Sequence, residues 1–194
     1  MREENLYLQP GHAGWERGFA GRQRNFSQES GGALREGESF DRTERSADDM
    51  DQKQAWIRLV EEKSAHYLNL GDGGFDEKMC ARLVRCSYEE QSVTYAFETQ
   101  KWQINEKGGI HGGAILGMFD SAFGVVANFT AGPGEATTTD MTVSFIRGVE
   151  YGMNVELTVY VVKAGRSLIR QRGELVDADT GKLLAIASGS WMPL

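Results

Sequence analysis

One carboxylate in this chain stands where a charge is expensive. Asp120 is the single charged residue between Gly112 and about Thr130, among Ala114, Ile115, Leu116, Met118, Phe119, Ala122, Phe123, Val125, Val126, Ala127 and Phe129. An ionised carboxylate in such surroundings needs hydrogen-bond partners or a polar cleft. Two readings follow: a carboxylate satisfied locally by Ser121 or a backbone amide, or a nucleophile or general base facing a cleft. Directly upstream runs Gly108-Gly109-Ile110-His111-Gly112-Gly113, which leads into the apolar stretch. If that stretch is a helix, its first amides are free and point at whatever occupies that end. Two such amides, or one amide with the side chain of Asn105, would hold a carbonyl oxygen as it becomes tetrahedral. A tight turn into a helix explains the glycines equally well, and His111 reads as the residue that holds this turn by hydrogen bonds.

The elements that must position these residues follow from periodicity. An apolar run on all faces between Gly112 and Thr130, closed by Gly132-Pro133-Gly134, predicts a buried helix. Ahead of it, Ala81–Cys86 and Ser92–Phe97 alternate as two strands joined through Ser87–Gln91. After it come three long alternating segments, Thr137–Phe145, Val155–Lys163 and Leu168–Val176, and a fourth, Lys182–Trp191, beyond the turn at Asp177-Ala178-Asp179-Thr180-Gly181. Ala55, Trp56, Leu59, Val60, Lys63 and Tyr67 recur at helical spacing, and acid at Asp48–Asp51 suits a helix start. The order is helix, two strands, buried helix, four strands. Without βαβ alternation this is an α+β domain, an antiparallel sheet carrying one long central helix.

Composition narrows the function. The 194 residues carry 21 Lys plus Arg against 28 Asp plus Glu, a formal charge of −7, which argues against duplex DNA or an anionic membrane as partner. The longest uncharged stretch, Ser121–Gly134, is too short and too broken to span a bilayer. No basic patch with an apolar signal core is visible, so a cytoplasmic location is expected. Cys80 and Cys86 fit no CxxC motif, and with only His12, His66 and His111 no metal site is assigned. Residues 1–50 hold seven Arg, ten acidic residues and seven Gly, with apolar residues scattered singly. They read as a poorly ordered extension, or as a partner-binding arm using Trp15 and Phe19, ahead of a domain over 51–194.

The string Asn105-Glu106-Lys107-Gly108-Gly109-Ile110-His111-Gly112-Gly113-Ala114, with Asp120 nine residues past the His, resembles the hotdog-fold acyl-CoA thioesterases of the PaaI-like branch. Thr138–Arg147 looks like that family's strand after the helix, and Lys163-Ala164-Gly165-Arg166-Ser167 like its Gly-Arg turn; the likeness covers about 55–194. The resemblance implies a sheet wrapped around the central helix and hydrolysis of an acyl-CoA thioester to acid and CoA. It gives Asp120 the role of base or nucleophile, places Asn105 and the Gly112 amide on the thioester oxygen, and puts a water-positioning hydroxyl at Thr138. It also implies a homodimer or homotetramer with sites between subunits, and no cofactor beyond the CoA of the substrate. It counts His111, which holds the turn, with the catalytic set, and puts Gly113 against the substrate. Arg147, Lys163 and Arg166 could meet the CoA phosphates, although solvated strand-end charges account for them too. Gly148 stands where many relatives have Pro. The alternatives are an acyl-CoA-binding hotdog module without catalysis, which would have no need of Asp120, Asn105 and Thr138 together, and a hydratase or dehydratase, which would use a His and an acid in another arrangement.

Overall fold

The computed structural model describes residues 39–194 apart from Pro133, with side chains from Asp49 onward. Lys53–Leu194 forms one compact unit. In chain order its elements are helix α1 (Ser39–Tyr67, which begins upstream of the unit), helix α2 (Phe75–Lys78), strands β1 (Arg82–Ser87) and β2 (Ser92–Glu98), a 3-10 turn over Lys101–Gln103, and helix α3 (Gly112–Thr130). Strands β3 (Ala136–Phe145), β4 (Asn154–Ala164), β5 (Ile169–Asp177) and β6 (Leu183–Pro193) follow. All six strands join one antiparallel sheet in the order β1-β2-β4-β5-β6-β3. The α+β order and the strand positions are those read from the sequence.

The sheet closes on α3 because its inner face and the helix are both apolar. Met118, Phe119, Ala122 and Phe123 are fully buried against Tyr95, Leu157, Val159, Leu175 and Trp191. The Phe123 ring meets Phe119 and Trp191 edge-on, at 5.7 and 5.3 Å between centroids, a favoured aromatic geometry. It enters the sheet through Gly173, where a Cβ would lie 2.6 Å from its ring. Each such buried side chain contributes roughly 1.5–3 kcal/mol. By length and composition α3 would suffice to cross a membrane, yet 67% of it is buried inside the protein.

Helix α1 is longer than the sequence reading, which began it near Met50 inside an extension expected to be poorly ordered. Residues 39–50 are helical, a stretch free of Gly and Pro in which helix propensity, without an apolar period, carries the turn-to-turn continuity. Residues 1–38, with the suggested Trp15–Phe19 arm, lie outside the described residues. In the compact unit, α1 buries Val60 and half-buries Trp56, Leu59 and Tyr67, and Ser64 shares a 2.9 Å hydrogen bond with the buried Tyr95 hydroxyl. Cys80 and Cys86 are free thiols.

Candidate active site

The turn before α3 holds itself together with the side chains that the sequence singled out. The Asn105 N–H donates to the Gly109 carbonyl at 2.8 Å and the Gly108 N–H returns to the Asn105 carbonyl at 3.0 Å. Gly108 has φ +85°, a conformation that favours glycine. Asn105 Oδ1 accepts from the Lys107 N–H at 2.8 Å, and its Nδ2 reaches the Ile110 carbonyl at 3.5 Å. His111 caps α3: its Nδ1 accepts the Gly113 N–H at 2.9 Å, while its own N–H donates to the Gln103 carbonyl at 2.7 Å. With Nδ1 an acceptor, the proton of the neutral ring sits on Nε2. His111 is thus a cap.

This wiring decides which amides remain. The Gly113 N–H is spent on His111, so Gly113, expected to touch substrate, offers no free donor. The Gly112 N–H, one position earlier, has no partner among the described residues. Gly112 lines an open groove of about 310 Å³ together with Ile110, Ile115, Phe145, Arg147 and Val149. The Phe145 ring lies so close over Gly112 that a Cβ there would stand 3.3 Å from it. Arg147, at this groove, donates from Nη1 to the Leu183 carbonyl at 2.6 Å.

Asp120 sits two turns further along α3, half-buried rather than enclosed. Its Oδ1 accepts the Thr138 hydroxyl at 3.0 Å, and neither oxygen has another hydrogen bond among the described residues. Thr138 lies on β3, where the register slips between Thr138 and Asp140 opposite Trp191 and Ser190; a bulge of this kind re-aims side chains. Thus the structure joins Asp120 to Thr138, and separately His111, Gly112 and Asn105. It does not join the two groups: eight residues of helix at 1.5 Å each set Asp120 about 12 Å from Gly112. Nor does it bring the three cations together. Arg147 follows the Phe145 end of β3, whereas Lys163 and Arg166 flank the β4–β5 turn, whose strand neighbours Ile169 and Trp191 lead across the sheet to Thr138.

Two residues that pack on α3 next to Asp120, Asp76 and Phe75, were missed in the sequence, whereas Trp102 reads there as a side chain that could set pocket depth. Asp76 of α2 accepts the hydroxyl of Ser121 at 2.5 Å, Phe75 packs over Gly117 of α3, and Trp102 meets Phe75 edge-on. Among the described residues no group of three His, Cys, Asp or Glu side chains is placed to hold a metal ion.

Residues 107–184, from the glycine turn through α3 and the strands into β6, match the family model described as thioesterase superfamily. This stretch is a thioesterase-superfamily domain. The class that this description names, thioester hydrolysis, is the one implied by the Asn105–Asp120 motif. The thioesterase domain is similar to mouse (Mus musculus) acyl-coenzyme A thioesterase 13, 22% identical over 112 residues, 58% of this chain and 79% of the relative. Its fold is that of the E. coli PaaI protein from the phenylacetic acid degradation operon, with TM-score 0.61 and 18% identity over 71% of this chain and 94% of that one. A Streptococcus mutans protein bound to acetyl CoA also shares it, with TM-score 0.52 and 19% identity over 58% of this chain and 89% of that one.

Proposed function

We propose that the thioesterase domain hydrolyses acyl-CoA thioesters, with Asp120 as general base. Water adds to the thioester carbonyl and gives its proton to Asp120. The Gly112 N–H and the Asn105 amide steady the oxygen that becomes negative. The tetrahedral intermediate then expels the CoA sulfur, which takes the proton back from Asp120 and leaves as thiol. The observation that carries this reading is the half-buried Asp120, held from one side by Thr138 and with no other hydrogen bond among the described residues, on the helix whose first amide is unspent among them. A thioester carbonyl is electrophilic enough for a carboxylate and one or two donors to suffice. The acetyl CoA bound by the Streptococcus mutans neighbour supports a CoA ester as ligand, and the presence of Arg147 in the lining of the groove supports it as a partner for a CoA phosphate.

Thiol release from acetyl-, hexanoyl-, lauroyl-, phenylacetyl- and hydroxybenzoyl-CoA tests it. Release that disappears in Asp120→Asn is the expected result. Acyl-CoA binding with no release from any of the five would instead favour a binding module.

The same reading needs two chains. At about 12 Å along one helix, Asp120 and Gly112 of a single chain cannot both touch one carbonyl, so Asp120 of one protomer faces Gly112 and Asn105 of another. Edge strand β3, ten residues long with most side chains exposed, supports an edge-to-edge dimer, since such an edge invites pairing. Mixing inactive Asp120→Asn with inactive Gly112→Pro chains checks this. Random two-fold assembly makes half the dimers hybrid, each with one intact site, and restores about a quarter of the activity; no recovery would place the site within one chain.

A further inference from the structure

Three large apolar side chains on and around the stretch of α3 that carries Asp120 stay half in solvent. Phe75 and Trp102 are each 52% exposed and Leu116 is 42% exposed. Leu116 precedes Asp120 by one turn and so shares its face of α3. Phe75 lies across Gly117, three residues before Asp120, so closely that a Cβ on Gly117 would come within 2.4 Å of its ring. The rings of Phe75 and Trp102 are 6.5 Å apart in an edge-on pair.

This patch is held rigidly. Ser121 Oγ donates to Asp76 Oδ1, fastening α2 beside the catalytic helix. Met79, just past α2, is buried and its sulfur accepts the Gln103 side-chain N–H. Gln103 is itself only 1% exposed. Its Oε1 takes the Gln100 N–H at 2.7 Å, and its carbonyl takes the His111 N–H at 2.7 Å. One buried glutamine therefore ties α2, the 3-10 turn and the cap of α3 into a single piece with the aromatic pair on its outer surface. Apolar area kept in water beside a polar reacting group marks a place for an apolar part of a ligand.

We infer that Phe75, with Trp102 and Leu116, is the wall that selects the acyl group, favouring a ring or a chain of about six carbons over acetyl. The inference rests on the thioesterase reading above. In that geometry the carbonyl stays at Asp120 and the apolar acyl group lies along Leu116 against the two rings.

The test is kcat/KM of the full chain for acetyl-, hexanoyl- and phenylacetyl-CoA in wild type, Phe75→Ala, Trp102→Ala and Gly117→Ala, the last pushing the Phe75 ring off its seat. The expected result is a fall of about tenfold in the hexanoyl-to-acetyl and phenylacetyl-to-acetyl ratios, the size of one lost ring contact, with the two arms showing whether ring or chain fits better. Ratios within about twofold of wild type in all three variants overturn it. So does an equal loss on all substrates together with dissociation in light scattering, which would mean that the patch meets a second copy of the chain. If wild type releases thiol from no ester, the thioesterase reading fails by itself. Calorimetric titration with the same three esters then decides on the wall: affinity that rises with acyl size and loses that rise in Phe75→Ala upholds it, and affinity blind to the acyl group, or no binding, overturns it.

Discussion

Two aspartates of this domain sit in opposite circumstances. Asp177 closes the β5–β6 turn: its Oδ2 accepts the Thr180 hydroxyl at 2.6 Å and its Oδ1 the Asp179 N–H at 3.0 Å, and its own N–H donates to the Lys182 carbonyl. These bonds, the Thr180 hydroxyl foremost, hold its carboxyl below the usual carboxylate range. Among the described residues Asp120 has one donor, Thr138, on one oxygen, and none on the other. A carboxylate whose bonds are all made within its own turn has nothing left for a substrate. One with a single orienting partner keeps lone pairs for a water, at some cost in stability. On the proposed reading, the difference separates an acid that holds the fold from an acid left free to react.

The comparison breaks first at Asp120. Replacing it with Asn keeps the shape and removes the base, so thiol release should fall by about 10²–10⁴-fold while the circular dichroism spectrum and melting temperature stay near wild type. An Asn variant that retained turnover would make Asp120 no different in kind from Asp177. The next effect belongs to the turn that faces the reaction with backbone. Gly112 is the first residue of α3, a position that tolerates proline, and His111 before it is already extended at φ −64°, ψ 137°, as a residue preceding proline must be. Gly112→Pro thus deletes one N–H at a position whose backbone accepts proline, although its Cβ presses on the Phe145 ring. The melting temperature and KM are therefore read beside kcat, and Gly112→Ala, which makes the same contact but keeps the N–H, serves as control. A loss of about 10²–10³-fold in kcat would mark that amide as the oxyanion donor, and a kcat near wild type would assign the role elsewhere. Thr138→Val, which leaves Asp120 with no donor, should cost about tenfold in kcat with KM little changed, measured in the same assay.

How much of this was written in the sequence depends on distance along the chain. The strands and α3 were legible because their signals are local: alternation in Val155–Lys163, apolar residues on every face after Gly112, and Asp-Ala-Asp-Thr-Gly at a hairpin. Asp120, Gly112 and Asn105 were legible as a spaced motif, and His111 as the holder of its turn. The Thr138–Asp120 bond was not readable from chemistry alone, since it depends on a bulge that pairs Thr138 with Trp191 and Asp140 with Ser190. Helix α2 has four residues, too few to show any period. Its importance lies in Phe75 meeting Gly117 and Asp76 meeting Ser121, contacts separated by more than forty residues. The state of the Gly113 amide was hidden for a different reason: it is spent on a ring nitrogen two residues away, a matter of rotamer that residue types do not disclose.

The smallest effect falls on the other side of the comparison. Because the folded-state pKa of Asp177 is lowered, folding favours its ionised form. Its contribution to stability is complete above the ordinary aspartate value, about 3.9, and is lost as pH falls through the lower folded value. Asp177→Asn should therefore lower the melting temperature at neutral pH, and the gap from wild type should narrow as the solution is taken below that range, with thiol release per folded molecule at neutral pH unchanged. Melting curves at a series of pH values check the first part and the thioester assay the second. Should Asp177→Asn reduce turnover of folded protein as Asp120→Asn does, the division between a holding and a reacting carboxylate would fail. Should the melting gap stay constant with pH, the turn would be held by the geometry of its bonds rather than by the charge of Asp177.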